Sequence, residues 1–243
     1  RHEAYEQYKA QREETPEEFK QSADTFFHLK DSWELTENSQ VMYMMELRKR
    51  LQTAEEEQKE QERKRNRLLY QADHDELTGL YNKRSLNRYL EDAFEDCLLN
   101  EKELGILFLD IDHFKQLNDR YGHGKGDEGI CAVAEVLKKH FDGDYVARYG
   151  GDEFLVVMAG RDPEYARQHA ELLCAGVREC RIPNEDSGVE PWLTISVGGV
   201  CAVPKEPNRV WDFLSAADNT LYEQKKEQKG QVRFYRGEGR YLS

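Results

Sequence analysis

The chain has 243 residues, 34% of them charged, and a formal net charge of −13 at pH 7, a length that suits one or two domains. That acidity argues against nucleic acid as a partner, since neutralising a phosphate backbone takes a basic face, and it leaves an anionic small substrate workable only with a metal and a few placed lysines. No apolar stretch approaches a membrane span and no cleavable leader is visible, so no membrane contact is expected within these residues; the chain opens on Arg1 instead of Met, and an upstream sensor or membrane region is expected before it.

Residues 1–38, with Phe26-Phe27-His28-Leu29 and Trp33, read as one or two helices broken at Thr15-Pro16 and again around 36–39; their role is not readable. From Met44 onward, positions 44, 47, 51, 54, 58, 61, 65, 68 and 72 hold Met, Leu, Leu, Ala, Gln, Gln, Arg, Leu and Ala. Steps of three and four make this a heptad seam, apolar at its ends and polar in its middle. A parallel two-stranded coiled coil over a linker of 39–72 is the leading reading. A single solvated helix laced by Glu and Lys pairs is the other.

The pattern then changes to alternating strands and helices. A strand-length apolar run at 104–110 (LGILFLD) is followed by helical spacing at 114–121 and 128–141 and by a hairpin at RYGGDEF, 148–154. After it come a helix over 163–178, a strand within 192–203, a helix over 210–228 and a last strand at 232–235. That order predicts an α+β fold with a mixed sheet covered by helices, and not a purely parallel doubly wound one. The five cysteines, at 97, 131, 174, 180 and 201, form no paired framework and read as reduced thiols in a cytoplasmic protein.

Chemistry concentrates at the hairpin. Gly150-Gly151 reads as its turn, because glycine alone takes positive φ there without strain, and this puts Asp152 and Glu153 at the tip. Asp110 ends the first strand; if the hairpin lies beside that strand, Asp110 meets the acid pair at one sheet edge. Gathered carboxylates repel unless a cation sits among them, and an all-oxygen set suits a hard divalent ion such as Mg²⁺, with Mn²⁺ as an alternative. Acidic, wet strand ends with no ion are the plainer reading.

RYGGDEF stands together with DHDELTGLYNKRSL (73–86), DIDHFKQLND (110–119), YGHGKGDEG (121–129) and ADNTLYEQKK (217–226). These five stretches resemble the GGDEF family of diguanylate cyclases, in order and spacing, over residues 73–236, with 237–243 left as a tail. The resemblance implies a fold akin to nucleotidyl cyclases and polymerase palms, and a reaction joining two GTP into cyclic di-GMP with release of two pyrophosphates. It makes Asp110, the Ile111 carbonyl, Asp152 and Glu153 metal ligands, and the pair Asp152 and Glu153 the catalytic acids, without deciding which takes the proton from the 3′-hydroxyl.

The resemblance also assigns Asn118 and Asp127 to the guanine base, a choice that favours GTP over ATP because a carboxylate accepts from guanine N1–H and its amine. His123 matches a further substrate position, although a loop histidine capping the next helix is the alternative. Lys115, Lys225 and Lys229 match triphosphate-binding positions, and Lys229 stands where the family usually has Arg, which keeps charge and loses the fork. Glycines 122, 124, 126 and 129 resemble a phosphate cradle but not a Walker loop.

Many members carry Arg-x-x-Asp ahead of the signature to bind product and inhibit the enzyme. Here Asp144 is present and Phe141 replaces the arginine, so no inhibitory product site is expected. A two-fold product made from two nucleotides further implies a homodimer, held by the coiled coil and open to an upstream signal. A nucleotide-binding effector without turnover, or a coiled-coil scaffold, would be the alternatives; the retained Asp110, Asp152 and Glu153 count against both.

Overall fold

A computed structural model of the chain describes residues 16–235; the expected break at Thr15, residue 236 of the second domain and the 237–243 tail lie outside them. The chain divides into two units, 1–66 and 67–243. Helix α1 (Pro16–Asp73) runs through the first unit and into the second without interruption. The break expected at 36–39 does not occur, because the hydroxyls that ordinarily compete with helix backbone are absorbed by it: Thr36 Oγ1 donates to the Ser32 carbonyl and Ser39 Oγ to the Leu35 carbonyl. Ion pairs one turn apart, Arg50 with Glu46 at 2.7 Å and Lys30 with Glu34 at 3.8 Å, lie along its exposed surface. Each adds a few tenths of a kcal/mol, about 0.3–0.5. Met44, Leu47, Leu51 and Leu68 of the heptad seam are exposed. None of the helices among the described residues is long and apolar enough to cross a membrane.

The second unit continues with β1 (Tyr81–Asn82), α2 (Lys83–Leu99), β2 (Leu104–Ile111), α3 (Phe114–Tyr121), α4 (His123–His140), β3 (Tyr145–Gly150), β4 (Glu153–Ala159) and α5 (Pro163–Glu179). A 3₁₀ turn (Glu185–Ser187), β5 (Ile195–Ala202), α6 (Val210–Glu227) and β6 (Val232–Phe234) complete it. The sheet order is β1-β3-β4-β2-β5-β6. Its outer pairs are parallel and its three inner pairs antiparallel, so it is the mixed, helix-covered sheet that the order of elements predicts.

Side-chain alternation along β2 explains the two layers. Leu107, Leu109 and Ile111 face one side with Ile130, Val133 and Leu137 of α4 and Ala170 and Leu173 of α5. Ile106 and Phe108 face the other with Leu86, Leu90 and Phe94 of α2 and Phe213, Ala217 and Leu221 of α6. All of these are buried, each contributing about 1.5–3 kcal/mol if large and aliphatic or aromatic.

Two elements lie outside the expected set. β1 is two residues long and has no pattern to show. α2 carries its apolar residues at 86, 90, 93, 94 and 97, the spacing of a helix face, and is capped by Asn82, whose side chain accepts from the Ser85 N–H at 3.0 Å. α4 also starts earlier than expected, at His123 instead of 128, because the glycine stretch between α3 and α4 is helical; only Gly122, at φ +84, forms the joint.

Candidate active site

β2 runs antiparallel to β4, and their register sets Asp110 directly opposite Glu153, so both side chains leave the same face of the sheet. The hairpin that precedes β4 turns one residue later than the sequence suggests: Gly150 still pairs with Glu153, and the turn residues are Gly151 and Asp152. Gly151 alone has positive φ, +52. The Ile111 N–H donates to the Asp152 carbonyl at 3.3 Å, tying the end of β2 to the turn.

Positive charge reaches this cluster from α6. Gly198 of β5 explains how, since a Cβ there would stand 2.2 Å from the Leu221 nitrogen and 2.4 Å from the Ala217 carbonyl oxygen. Helix α6 thus packs at backbone contact with β5, and Lys225, one turn after Leu221 on the same face, meets Asp110 at 2.5 Å. Burial pushes the Asp110 carboxyl up to about 6 against the pull of Lys225, with Asp152 and Asp112 adding to the rise. Glu153 is raised as well, by burial first and then by Asp152; Lys225 and Lys83 pull it down and Asp218 pushes it up. Lys83 and Asp218 were not singled out in the sequence, although both fall inside the stretches that carry the resemblance.

The three acids converge on one edge but do not close into a cage: among the described residues, no three His, Cys, Asp or Glu side chains gather closely enough to hold a metal ion by themselves. Lys225 supplies the counter-charge to Asp110, which eases the repulsion between the acids. The set nevertheless fits a hard cation in its chemistry, with carboxylate and carbonyl oxygens only, and in the strain that partial burial places on Asp110 and Glu153. Lys229 lies near the same strand end, its Nζ 3.2 Å from Nε2 of His113; burial and that ammonium hold the His113 imidazole below its ordinary value.

A second feature lies at the contact between α3 and α4. Asn118 Oδ1 is buried and has no hydrogen-bond partner. A Cβ on Gly126 would stand 2.0 Å from that oxygen, so Gly126 leaves room for the Asn118 amide and is no part of an open phosphate cradle. Gly129 is likewise packed, against Leu193 and Leu117. Asp127, His123 and Lys115 are exposed, and their side chains make no hydrogen bond or ion pair with other described residues. The structure therefore brings Asp110, Glu153, Asp152 and Lys225 together, sets Asn118 beside Gly126, and leaves Asp127, His123 and Lys115 facing solvent.

Arg148, the first residue of RYGGDEF, has a task the sequence did not disclose. Its Nε and Nη2 donate to the Gly151 carbonyl at 2.9 and 2.8 Å, and its Nη1 donates to Asp75 at 3.1 and 3.2 Å. Asp75 also accepts from the Thr78 N–H and hydroxyl. The turn that carries Asp152 is therefore anchored to the segment just after α1. Opposite charges in two of the quoted stretches were the available signal, but only the fold pairs them.

At the position of the inhibitory motif, Phe141 is buried, 1% exposed, and Asp144 has both oxygens engaged, by Arg161 Nε at 3.1 Å and the Tyr165 hydroxyl at 2.8 Å. Burial and the bond to Asp144 push that hydroxyl up to about 12.

A family model described as diguanylate cyclase, GGDEF domain, matches residues 72–231. The probable diguanylate cyclase DgcC of Escherichia coli is 35% identical over 164 residues, 67% of this chain and 43% of that protein. The diguanylate cyclase DgcM of the same organism is 34% identical over 175 residues, 71% of this chain and 41% of that one. The chain thus spans less than half the length of these relatives. Among solved structures, the coiled coil and GGDEF domain of DgcB from Caulobacter crescentus, in complex with c-di-GMP, superposes with a TM-score of 0.68 at 26% identity, covering 78% of this chain and 99% of that one. A truncated TpbB from Pseudomonas aeruginosa comprising only the GGDEF domain gives a TM-score of 0.60 at 30% identity over 67% of this chain and 94% of that one. With its signature turn, its opposed Asp110 and Glu153 and the match over two thirds of its length, the chain belongs to the GGDEF family.

Proposed function

We propose that this chain is a diguanylate cyclase that condenses two GTP into cyclic di-GMP and releases two pyrophosphates. The observation that carries the reading is the pairing of Asp110 with Glu153 across β2 and β4, with Asp152 in the adjoining turn and Lys225 at 2.5 Å from Asp110. The naming of the relatives DgcC and DgcM agrees with it.

In this reading Asp110, the Ile111 carbonyl, Asp152 and Glu153 hold Mg²⁺, or Mn²⁺ in its place. A divalent ion bound there supplies charge neutralisation to the phosphates and favours the ionised 3′-hydroxyl. Glu153, whose carboxyl is already raised by burial and by Asp152, and Asp152 form the pair that takes the 3′-hydroxyl proton. Lys225, Lys229 and Lys115 meet the triphosphate. The buried, unpaired Asn118 oxygen accepts from the guanine edge, Asp127 accepts beside it, and His123 lines the same substrate.

Each domain offers one such site, and the product is two-fold symmetric, so two chains face each other across a two-fold axis. Exposed Met44, Leu47, Leu51 and Leu68 on α1 suit a parallel coiled coil between two copies, which raises the effective concentration of the domains and can pass on an upstream signal. All five cysteines are free thiols, consistent with a cytoplasmic setting.

Incubation with GTP and Mg²⁺ should yield cyclic di-GMP. Asp152→Asn with Glu153→Gln should abolish it while the thermal melt stays near that of the parent, since both residues lie outside the core. No product from a well-folded parent, over a range of protein and metal concentrations, would end the reading.

A further inference from the structure

We infer that Asp112, which no step of the proposed reaction uses, is a positioning residue: acting through Ser196 and Gly230, it sets the place of Lys229 beside the end of β2. The inference rests on the cyclase reading above, because that reading gives Lys229 the triphosphate.

Asp112 follows Ile111 directly and is 1% exposed. Its Oδ2 accepts from the Thr194 hydroxyl at 2.8 Å and its Oδ1 from the Ser196 hydroxyl at 2.7 Å. Its backbone is held too, the N–H donating to the Thr194 carbonyl at 2.9 Å and the carbonyl accepting from Asn184 Nδ2 at 3.3 Å. An ionised carboxylate only accepts, so the single proton of Ser196 is committed to it. The remaining lone pair of that oxygen takes the Gly230 N–H at 3.1 Å.

The other side of the same loop is gripped from α5. The Gly230 carbonyl accepts from Arg178 Nη2, and Arg178 Nε is fixed by Glu190 at 2.8 Å. Gly230 has φ +78, and a Cβ there would stand 3.3 Å from both Arg178 Nη2 and Val189 Cγ1. Lys229 leaves the chain immediately before this clamped residue and returns to the start of α3, with Nζ 3.2 Å from Nε2 of His113, the neighbour of Asp112.

A lysine here presents a point charge on a flexible stem, where an arginine would present a rigid fork. Its aim therefore depends on where the backbone puts its Cα, and the bonds on Ser196 and Gly230 fix that backbone. The carboxylate is what orients the relay. An amide at 112 could turn an N–H toward Ser196, and the hydroxyl would then have to point elsewhere.

The test uses the whole chain with GTP and Mg²⁺. Ser196→Ala and Lys229→Ala should each raise KM for GTP about tenfold with kcat within about twofold, the pattern of a lost ground-state contact. The double variant should be no worse than Lys229→Ala alone, because both changes remove one interaction. Asp112→Asn, which preserves the side-chain shape, should shift KM in the same direction and serves if Ser196→Ala melts early. Hydrogen exchange at the Gly230 amide should speed up in Ser196→Ala and in Asp112→Asn but not in Lys229→Ala. Unchanged KM and unchanged exchange in Ser196→Ala, or effects of Ser196→Ala and Lys229→Ala that simply add, would overturn the inference. So would a Lys229→Ala enzyme with the parent's KM, and that result would leave the cyclase reading standing on its acids. If the parent makes no product, the cyclase reading falls instead, and the exchange measurement still decides whether the clamp exists.

Discussion

Gly126 and Asn118 let the proposed guanine contact be tested apart from folding. The oxygen that an alanine Cβ at 126 would strike, at 2.0 Å, is the far end of the Asn118 side chain, so the amide gives way and the helices do not. Gly126→Ala should therefore raise KM for GTP about tenfold, about 1.4 kcal/mol of lost binding, with little change in Tm; steady-state kinetics beside a thermal melt check both halves. At the position of the inhibitory motif, Phe141 is buried and the Asp144 side chain, 3% exposed, is already bonded to Arg161 and Tyr165, so its carboxylate is not presented to a guanine edge. Titration of the protein with cyclic di-GMP in a calorimeter should give no binding that depends on Asp144. Micromolar binding lost in Asp144→Ala would contradict this.

Elements act on the site through close approach and through one ion pair. At Gly198 the atoms in the way are the backbone of α6, the Leu221 nitrogen at 2.2 Å and the Ala217 oxygen at 2.4 Å. Gly198→Ala should therefore cost at least about 2 kcal/mol, lower Tm by several degrees, and reduce turnover, because the helix it displaces carries Lys225. The second link is Asp75 with Arg148. Burial alone would raise the Asp75 carboxyl; hydrogen bonds from Thr78 and Arg148, and the charge of Arg148, more than offset it and leave the group below its ordinary value of 3.8. A carboxyl depressed in the folded state stabilises the fold above its unfolded pKa and loses that contribution as pH falls through the folded one. Urea unfolding of the parent and of Asp75→Asn should thus differ by about 1–2 kcal/mol above pH 4, and the difference should shrink on further acidification. A difference that grew below pH 3.8 would show that the pair has been misread.

Across the whole molecule, the proposed reaction needs two domains at once, and that requirement predicts the kinetics. A chain lacking residues 1–66, the first structural unit, should make product at a specific rate that falls in proportion to dilution, since two free domains must meet. If the proposed coiled coil forms, the full chain should hold its specific rate over a wider range, since the helix would then supply the effective concentration. Specific activity independent of concentration in the shortened chain would remove the basis for a coiled-coil dimer. The long helix also overturns the helix break expected at 36–39, where a cluster of Thr, Glu, Asn and Ser reads as a break until the i−4 carbonyls are there to take the hydroxyls.

The amino-acid sequence by itself determined the family, through five motifs in order, and the mixed sheet, through strands whose lengths and alternation survive in β2 to β6; it also singled out the acids proposed for the site, because carboxylates at a strand end and a glycine turn are local features. It left α2 and β1 unassigned and placed the turn one residue early. What only the tertiary structure decided are the pairings between distant segments: Arg148 with Asp75, Lys225 with Asp110, and Asp112 with Ser196. Each joins residues that are far apart along the chain, so no local pattern records them. They exist because the strand register and the backbone-close packing of α6 on β5 bring them within bonding distance.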